Sequence, residues 1–362
     1  MLELKFFPIS VEEDIWRYKS LLSQIDPYNP YSRYELIDLE SSRDNKSLNY
    51  FLLTSKGLPI VLMPFYLEKI HIENEPTAYF DVTTPWGYMG PIVKPENISI
   101  LESFWKKADE WYRSNNVISE FVRFSFNGNQ MGYSGTIAHT LSNIRGRLLS
   151  TEELWGGFKR SVRKNYNTAI RNQLVYRIYH KNIPVEKIED FYSIWKGTMD
   201  RLEAAPSYYH SLDYFSNYIC NNEDCCALAI VENPDGVAIS TELLLFNEDT
   251  MFSFLGGTDA KYFASRPNDL LKIESMKWAR EQGLKYYMLG GGLSDGDTLY
   301  QYKKKFFPEE PEVIFYTGRK IVNPEVYGEI SLLSGFGYSE PFIQNDLSNR
   351  FFPKYRSQKV SL

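Results

Sequence analysis

Several residues in this chain have the types and spacing to act on an anion and an amine. Lys159, Arg160, Arg163, Lys164, Arg171, Arg177 and Lys181 fall in an interval with no Asp or Glu. A solvated helix face ordinarily mixes signs, so the run reads either as a surface for a phosphate, a pyrophosphate or an RNA backbone, or as a plain solvated basic face or a clamp onto acidic residues elsewhere. Gly290, Gly291 and Gly292 are consecutive; they permit close backbone approach, and their N–H groups can meet a developing oxyanion. Tyr300 and Lys303 share a helical face, where the Lys303 charge can serve a phosphate or a carboxylate. The blander reading makes Tyr300 a core anchor and leaves Lys303, Lys304 and Lys305 in water. Asp81 stands just before an aromatic, Pro- and Gly-rich span as either a proton acceptor or the partner of a backbone N–H or a cation. In that span Trp86 and Tyr88 serve as a substrate wall or as parts of a rigid turn.

The elements that must position these residues follow from periodicity. A short apolar run from Met251 leads through a polar loop to a helix that Asn268 is expected to cap, with Asp269 in its first turn and Gly283 just beyond its end. Asn268 and the free N–H groups of that turn can hold phosphate, although Asp269 competes for them. Residues 284–289 then return as a strand and stop at the three glycines. Upstream, helices are expected at 12–24, 98–114, 185–200 and 212–220, with another starting at Thr151. Strands are expected at 50–54, 58–66, 117–126, 136–141, 175–179, 226–232, 236–246, 251–255 and 313–317. Residues 78–93 read as irregular. The order of strands, helix and further strand recurs, which predicts two similar α/β domains with mixed (α+β) sheets: 1–150, with 321–362 packed back onto it, and 151–320.

Composition bounds the function. The 362 residues, 43% apolar and 24% charged, suffice for two cores. A formal charge of -6 argues against binding long nucleic acid through the net field, so no DNA partner is expected. Cys220, Cys225 and Cys226 offer no disulfide framework. His71, His139, His180 and His210 lack ligand spacing, so no metal is expected. No Walker, dinucleotide-binding or G-x-S-x-G sequence is present. The N-terminus MLELKFFPIS has no leader pattern, and the chain reads as cytoplasmic, with peripheral contact at the inner face of the membrane left open.

NDLLKIESMKWAREQGLKYYMLGGG followed by DTLYQYKKKF resembles the second domain of the Fem-type peptidoglycan bridge aminoacyltransferases and their GNAT-like relatives. FDVTTPWGYMGPIV resembles the aromatic-Gly-Pro region of their first domain. LWGGFKRSVRKNYNTAIRN resembles the basic helix that opens their second, with Arg163 and Asn165 on its Arg-x-Asn pattern. The resemblance implies tandem GNAT-like acyltransferase domains with an acceptor channel between them. It implies transfer of an acyl or aminoacyl group from acyl-CoA or aminoacyl-tRNA to an amine of a nucleotide-linked sugar or a muropeptide, with no tightly bound cofactor. Lys303, Asp81 and Tyr300 are then the expected catalytic residues. Arg163, Lys164, Asn165, Trp86, Tyr88, Asn268 and Gly290, Gly291 and Gly292 are expected to bind substrate. The chain departs from these relatives in having no long heptad arm, and in having SRPND where a pyrophosphate-binding segment would lie. A noncatalytic binder of envelope glycan or precursor, built on the same fold, is the alternative.

Overall fold

The computed structural model describes residues 2–38, 46–336 and 351–357. In chain order, β1 (Leu2–Pro8), α1 (Glu12–Ile25), β2 (Ser47–Ser55), β3 (Leu58–Ile72), β4 (Glu75–Thr83), β5 (Ile92–Val93), α2 (Leu101–Ser114), β6 (Val117–Arg123) and β7 (Thr136–Arg147) come first. There follow α3 (Thr151–Gly157), α4 (Arg160–Arg171), β8 (Val175–Tyr179), α5 (Val185–Arg201), α6 (Leu212–Asn221), β9 (Cys226–Glu232), β10 (Ala238–Phe246) and β11 (Thr250–Thr258). The chain continues with α7 (Pro267–Glu281), β12 (Tyr286–Gly290), α8 (Thr298–Lys304), β13 (Glu312–Ile321) and α9 (Pro324–Leu333). It forms two compact units, one comprising Leu141–Val313 with Tyr28–Pro30, the other built from the rest of the chain up to and including Thr140 and from Ile314 onward.

The first unit has the strand order β1-β2-β3-β4-β6-β13, with β5 beside β3. β2, β3 and β4 form an antiparallel meander, and β6 then pairs parallel to β4 after α2 has crossed over. Phe104, Trp105, Ala108 and Tyr112, on one face of α2, are buried against Phe51, Val61, Met63 and Phe65 of the sheet. The span expected to be irregular begins with strand β4, and Asp81 lies inside it. The Pro and Gly cluster beginning at Pro85 hides the extended run before it from a reading by composition. Of the tail, residues 337–350 and 358–362 lie outside the described residues. In the described part, Tyr327, Ile330, Phe352 and Tyr355 are buried with Ile70 and Ile118.

The second unit repeats this topology. β9, β10 and β11 form an antiparallel meander, α7 crosses over, and β12 pairs parallel to β11. β7 closes the far side of β12, and β8 forms the other edge. β9 is buried at every position, so the sheet carries helices on both faces. Ala229, Val231, Leu244 and Met251 face a core shared with Leu270, Leu271, Ile273, Met276 and Ala279 of α7. Each fully buried Leu or Ile in such a core contributes about 2 kcal/mol. β11 and β12 share the rungs Thr250↔Tyr286, Met251↔Tyr287 and Phe252↔Met288, and pairing then stops, although β11 runs on to Thr258. A bulge at Phe254 of β11, opposite the step from Leu243 to Leu244 of β10, re-aims β11 at that point. Among the described residues no helix is long and apolar enough to cross a membrane.

Candidate active site

The end of β12 builds the part of the site that the sequence singled out. Gly290 has φ +77° and lies opposite Ile144 in the β7–β12 ladder. A side chain on Gly291 would place Cβ 2.8 Å from the Ser142 carbonyl, and one on Gly292 would place it 2.0 Å from the Asp297 carboxylate. Close approach of Asp297 is what demands glycine here. The Asp297 carboxylate accepts from the N–H groups of Leu293 (2.7 Å), Ser294 (3.1 Å) and Tyr300 (2.8 Å), closing the turn and capping α8. These backbone bonds hold its pKa below the ordinary carboxylate range.

α8 then presents Lys303, whose Nζ donates to the Gly291 carbonyl at 2.7 Å. Burial, followed by the nearby Lys272 ammonium, lowers the Lys303 pKa to about 8. Tyr300, expected to share this role, instead gives its hydroxyl to Glu312, and burial with that contact raises its phenol to about 12. A phenol held there is protonated near neutral pH and does not start as a proton acceptor.

Lys272 and Glu242, whose charges act on Lys303, belong to a polar network that the sequence reading did not anticipate. Glu242 of β10 accepts from Lys272 of α7 and from Ser253 of β11, and its other oxygen accepts from Tyr287 of β12 at 2.9 Å. Lys272 also donates to Ser253 at 2.7 Å. Two sequence signals mark the network: a glutamate inside the apolar run of β10, and a lysine within the apolar stretch LLKI of α7.

The first turn of α7 differs from expectation. Arg266, at φ +62°, holds the N-cap position, and Pro267 is the first helical residue. Asn268 is therefore inside the helix rather than its cap, since proline fits the first position of a helix with no loss of a bonded N–H. Its amide donates to the Tyr302 hydroxyl at 3.0 Å. Asp269 is buried and accepts from Asn165 of α4 at 3.2 Å, and desolvation raises its pKa to about 6.

The basic run divides by its neighbours. Arg163 donates from Nη1 to the carbonyls of Trp155 (3.1 Å), Gly156 (3.0 Å) and Phe158 (2.6 Å), tying the C-terminal end of α3 to α4. This engages its guanidinium with the protein's own backbone. Arg177 pairs with Glu232 at 2.7 Å and Lys159 lies 4.0 Å from Glu309. Arg160 and Lys164 are exposed and have no ion pair among the described residues, and exposed Arg171 donates to Thr168 at 3.1 Å. Helical spacing puts Arg160, Lys164 and Arg171 on the outer face of α4, opposite buried Val162 and Ala169. α3 is capped by Ser150, which forms a capping box with Glu153.

The remaining candidates lie in the first unit. The Asp81 carboxylate accepts from Arg356 Nε (2.6 Å) and Nη2 (3.0 Å) and from the Tyr355 hydroxyl (3.0 Å). That arrangement is the cation-partner reading. Tyr88 packs its ring against Phe126 at 4.5 Å, Tyr31 at 5.1 Å and Phe315 at 5.5 Å, whereas Trp86 is exposed. Asn129 stitches the loop by donating to the carbonyls of Met89 (2.7 Å) and Pro91 (3.0 Å). Among the described residues no group of three or more His, Cys, Asp or Glu is placed to hold a metal ion.

A meander, a crossover helix and a parallel strand that parts from its neighbour form a recognisable arrangement, and residues 160–304 match the family model for the acetyltransferase (GNAT) domain. That span, about 40% of the chain's 362 residues, is similar to a GNAT domain. Its fold is also that of the FemX crystal structure, at 14% identity and a TM-score of 0.60, covering 88% of this chain and 96% of that one. L-PGS from Bacillus licheniformis is similar at 12% identity and a TM-score of 0.55, covering 90% of this chain and 97% of that one. The C-terminal domain of a putative lysylphosphatidylglycerol synthetase from Agrobacterium fabrum gives 13% identity and a TM-score of 0.54, with 85% and 91% covered. At these identities the structural likeness is one of fold. No curated protein matches the sequence. The match supports an acyltransferase, and the matched span contains Lys303, Asn165, Asp269 and the Glu242–Lys272 network together.

Proposed function

We propose that this chain is an N-acyltransferase that moves an acyl or aminoacyl group from an activated donor to an amine of a cell-envelope precursor, such as a nucleotide-linked sugar or a muropeptide. The observation that carries the reading is the Lys303 amine, fixed on the Gly291 carbonyl beyond the point where β11 and β12 cease to pair, within the span that matches a GNAT domain. With a pKa of about 8, roughly a tenth of Lys303 is neutral at pH 7. In that form it accepts the proton that the acceptor amine loses as its nitrogen bonds to the acyl carbon. The bond from that carbon to the donor's oxygen or sulfur breaks as the tetrahedral intermediate collapses, and the leaving group takes up a proton. An ester or thioester is already activated, so no nucleophilic side chain is needed.

The envelope acceptor rests on the fold shared with FemX and with the lysylphosphatidylglycerol synthetase domain. Two features favour aminoacyl-tRNA over acyl-CoA as donor. The first turn of α7 begins with Pro267, which has no N–H to offer a pyrophosphate, and holds the Asp269 carboxylate close by. The outer face of α4 offers Arg160, Lys164 and Arg171 to a polyanion. Contact with a membrane surface, at the cytoplasmic face, suits the same cations.

The test supplies charged tRNA and a panel of acyl-CoAs separately, with muropeptide or amino-sugar nucleotide as acceptor, and weighs the acceptor by mass spectrometry. Transfer from charged tRNA that weakens with added salt supports the reading. Acceptor binding with no mass increase from either donor leaves the noncatalytic binder in its place.

A further inference from the structure

β1 pairs with β2 on one side only, and among the described residues no strand lies on its other side. The Ile9 N–H donates to the Leu48 carbonyl at 2.9 Å in continuation of the β1–β2 register, so the odd positions of β1 are the ones bonded to β2. The N–H and C=O groups of Leu2, Leu4 and Phe6 therefore point outward along an open edge. Pro8, which has no N–H, stands at its end. Side chains alternate across the sheet. Leu2, Leu4 and Phe6 are partly buried on the α2 face, where Phe6 stacks on Trp111 at 4.7 Å. Glu3 and Lys5 are exposed on the opposite face, 3.2 Å apart. Beside the edge, a groove of about 730 Å³ is lined by Leu2, Leu4 and Trp111 together with Lys107 and Glu110.

Open edges are ordinarily guarded by charge or proline. Here the two charges are of opposite sign and two residues apart, which makes the strand complementary to itself. In an antiparallel pair of two copies about a twofold axis at Leu4, Leu2 of each faces Phe6 of the other, and every outward N–H and C=O of Leu2, Leu4 and Phe6 is bonded. Glu3 of each copy then stands opposite Lys5 of the other, in the pairs whose side chains approach most closely. The neighbouring registers are worse. An axis at Glu3 or at Lys5 sets like charges against each other, and an axis at Phe6 puts Pro8, with no N–H to give, opposite Leu4.

We propose that this chain forms a twofold homodimer in which β1 pairs antiparallel with β1 of a second copy about Leu4, joining two sheets into one. The axis runs perpendicular to the joined sheet, so the grooves of both copies lie on the same face and Leu2, Leu4 and Trp111 of each meet in one apolar seam. A second copy is the occupant because the charges of β1 complete themselves in one register. None of the residues assigned to the candidate active site lies on β1, so the dimer stands apart from the acyltransferase reading.

Sedimentation equilibrium of the full chain over a range of concentrations reads the assembly, and the wild type is expected to reach twice the 42.3 kDa of one chain. Glu3→Lys and Lys5→Glu each replace both attractive pairs across the axis with repulsive ones. Each should raise the dissociation constant at least about tenfold. Both side chains are exposed and their ion pair is a surface one, so the fold is kept. An equal mixture of the two single variants should associate as the wild type does, since every Glu again faces a Lys, and so should the double change Glu3→Lys with Lys5→Glu in one chain. In the wild type, hydrogen exchange at the Leu4 and Phe6 amides should slow as concentration rises. A mass of one chain up to about 0.1 mM overturns the proposal and leaves β1 as an edge guarded by Lys5 and Pro8. A dimer that neither single variant weakens uses another surface and is equally fatal to it, as is a mixture of the two variants that stays monomeric.

Discussion

Asp269→Asn should make the protein more stable at neutral pH, although it removes a charged residue from the first turn of a helix. The Asp269 carboxyl is 5% exposed, and its pKa rises from the ordinary 3.8 to about 6 because burial penalises the ionised form more than Asn165 and the nearby cations favour it. A raised acid pKa means that the folded protein holds this proton more tightly than the unfolded chain. Its contribution is therefore most favourable below pH 4, declines as the pH climbs to about 6, and is level beyond that. At about 1.4 kcal/mol per pH unit, ionising the group in place costs about 3 kcal/mol at pH 7. Asparagine has the same shape and no such cost, and rotation of the Asn165 amide lets its oxygen accept from the new side chain. The expected gain is about 1–3 kcal/mol at pH 7.5, with less change at pH 4.5. Guanidinium denaturation of both proteins at the two pH values checks it. Equal or lower stability of the variant at pH 7.5, with the same pH dependence as the wild type, would refute the reasoning. A stabilising change would also mark Asp269 as a residue kept for a reason other than folding.

Other perturbations separate structural roles from chemical ones. Arg163→Ala should lower stability by about 2 kcal/mol by freeing three carbonyls at the end of α3, as read by denaturation. Transfer per folded molecule should hardly change; a selective rise in KM would instead make Arg163 a substrate ligand. Asp81→Asn leaves Arg356 without its two-pronged partner and should cost about 2–3 kcal/mol in the same measurement, with a near-normal turnover number. Tyr300→Phe should keep most of its transfer activity, because that hydroxyl belongs to Glu312. A hundredfold loss in a steady-state assay would restore it to the chemistry.

The strand, helix, strand and glycine turn from β11 to Gly292 were legible because each carries a local signal: a β-rich run, helical periodicity ending before Gly283, and three consecutive glycines, required by a positive φ at Gly290, the Ser142 carbonyl beside Gly291 and Asp297 beside Gly292. The match of residues 160–304 to a GNAT domain agrees with the family resemblance those residues carry. Asn268 was misplaced by two positions in helix α7 because a good capping residue follows a proline that itself starts helices well. β4 was hidden by the Pro- and Gly-rich span beginning at Pro85. The Glu242–Lys272 network was out of reach of local pattern, since Glu242, Ser253, Lys272 and Tyr287 come from four elements and meet through the sheet register. The company Arg163 keeps was equally invisible: a basic run read as one surface is divided by folding into backbone ties, ion pairs and an outer face on α4.

The central claim is that Lys303 serves acyl transfer to an amine. Its most direct test compares wild type and Lys303→Met with charged tRNA, acyl-CoAs and amine-bearing envelope precursors, reading the acceptor mass and confirming that both proteins are folded. The account predicts an acceptor heavier by one acyl or aminoacyl group with the wild type, and a rate at least about a hundredfold lower with the variant. Equal rates in the two proteins, or no mass increase with any donor while the precursor still binds, would contradict it.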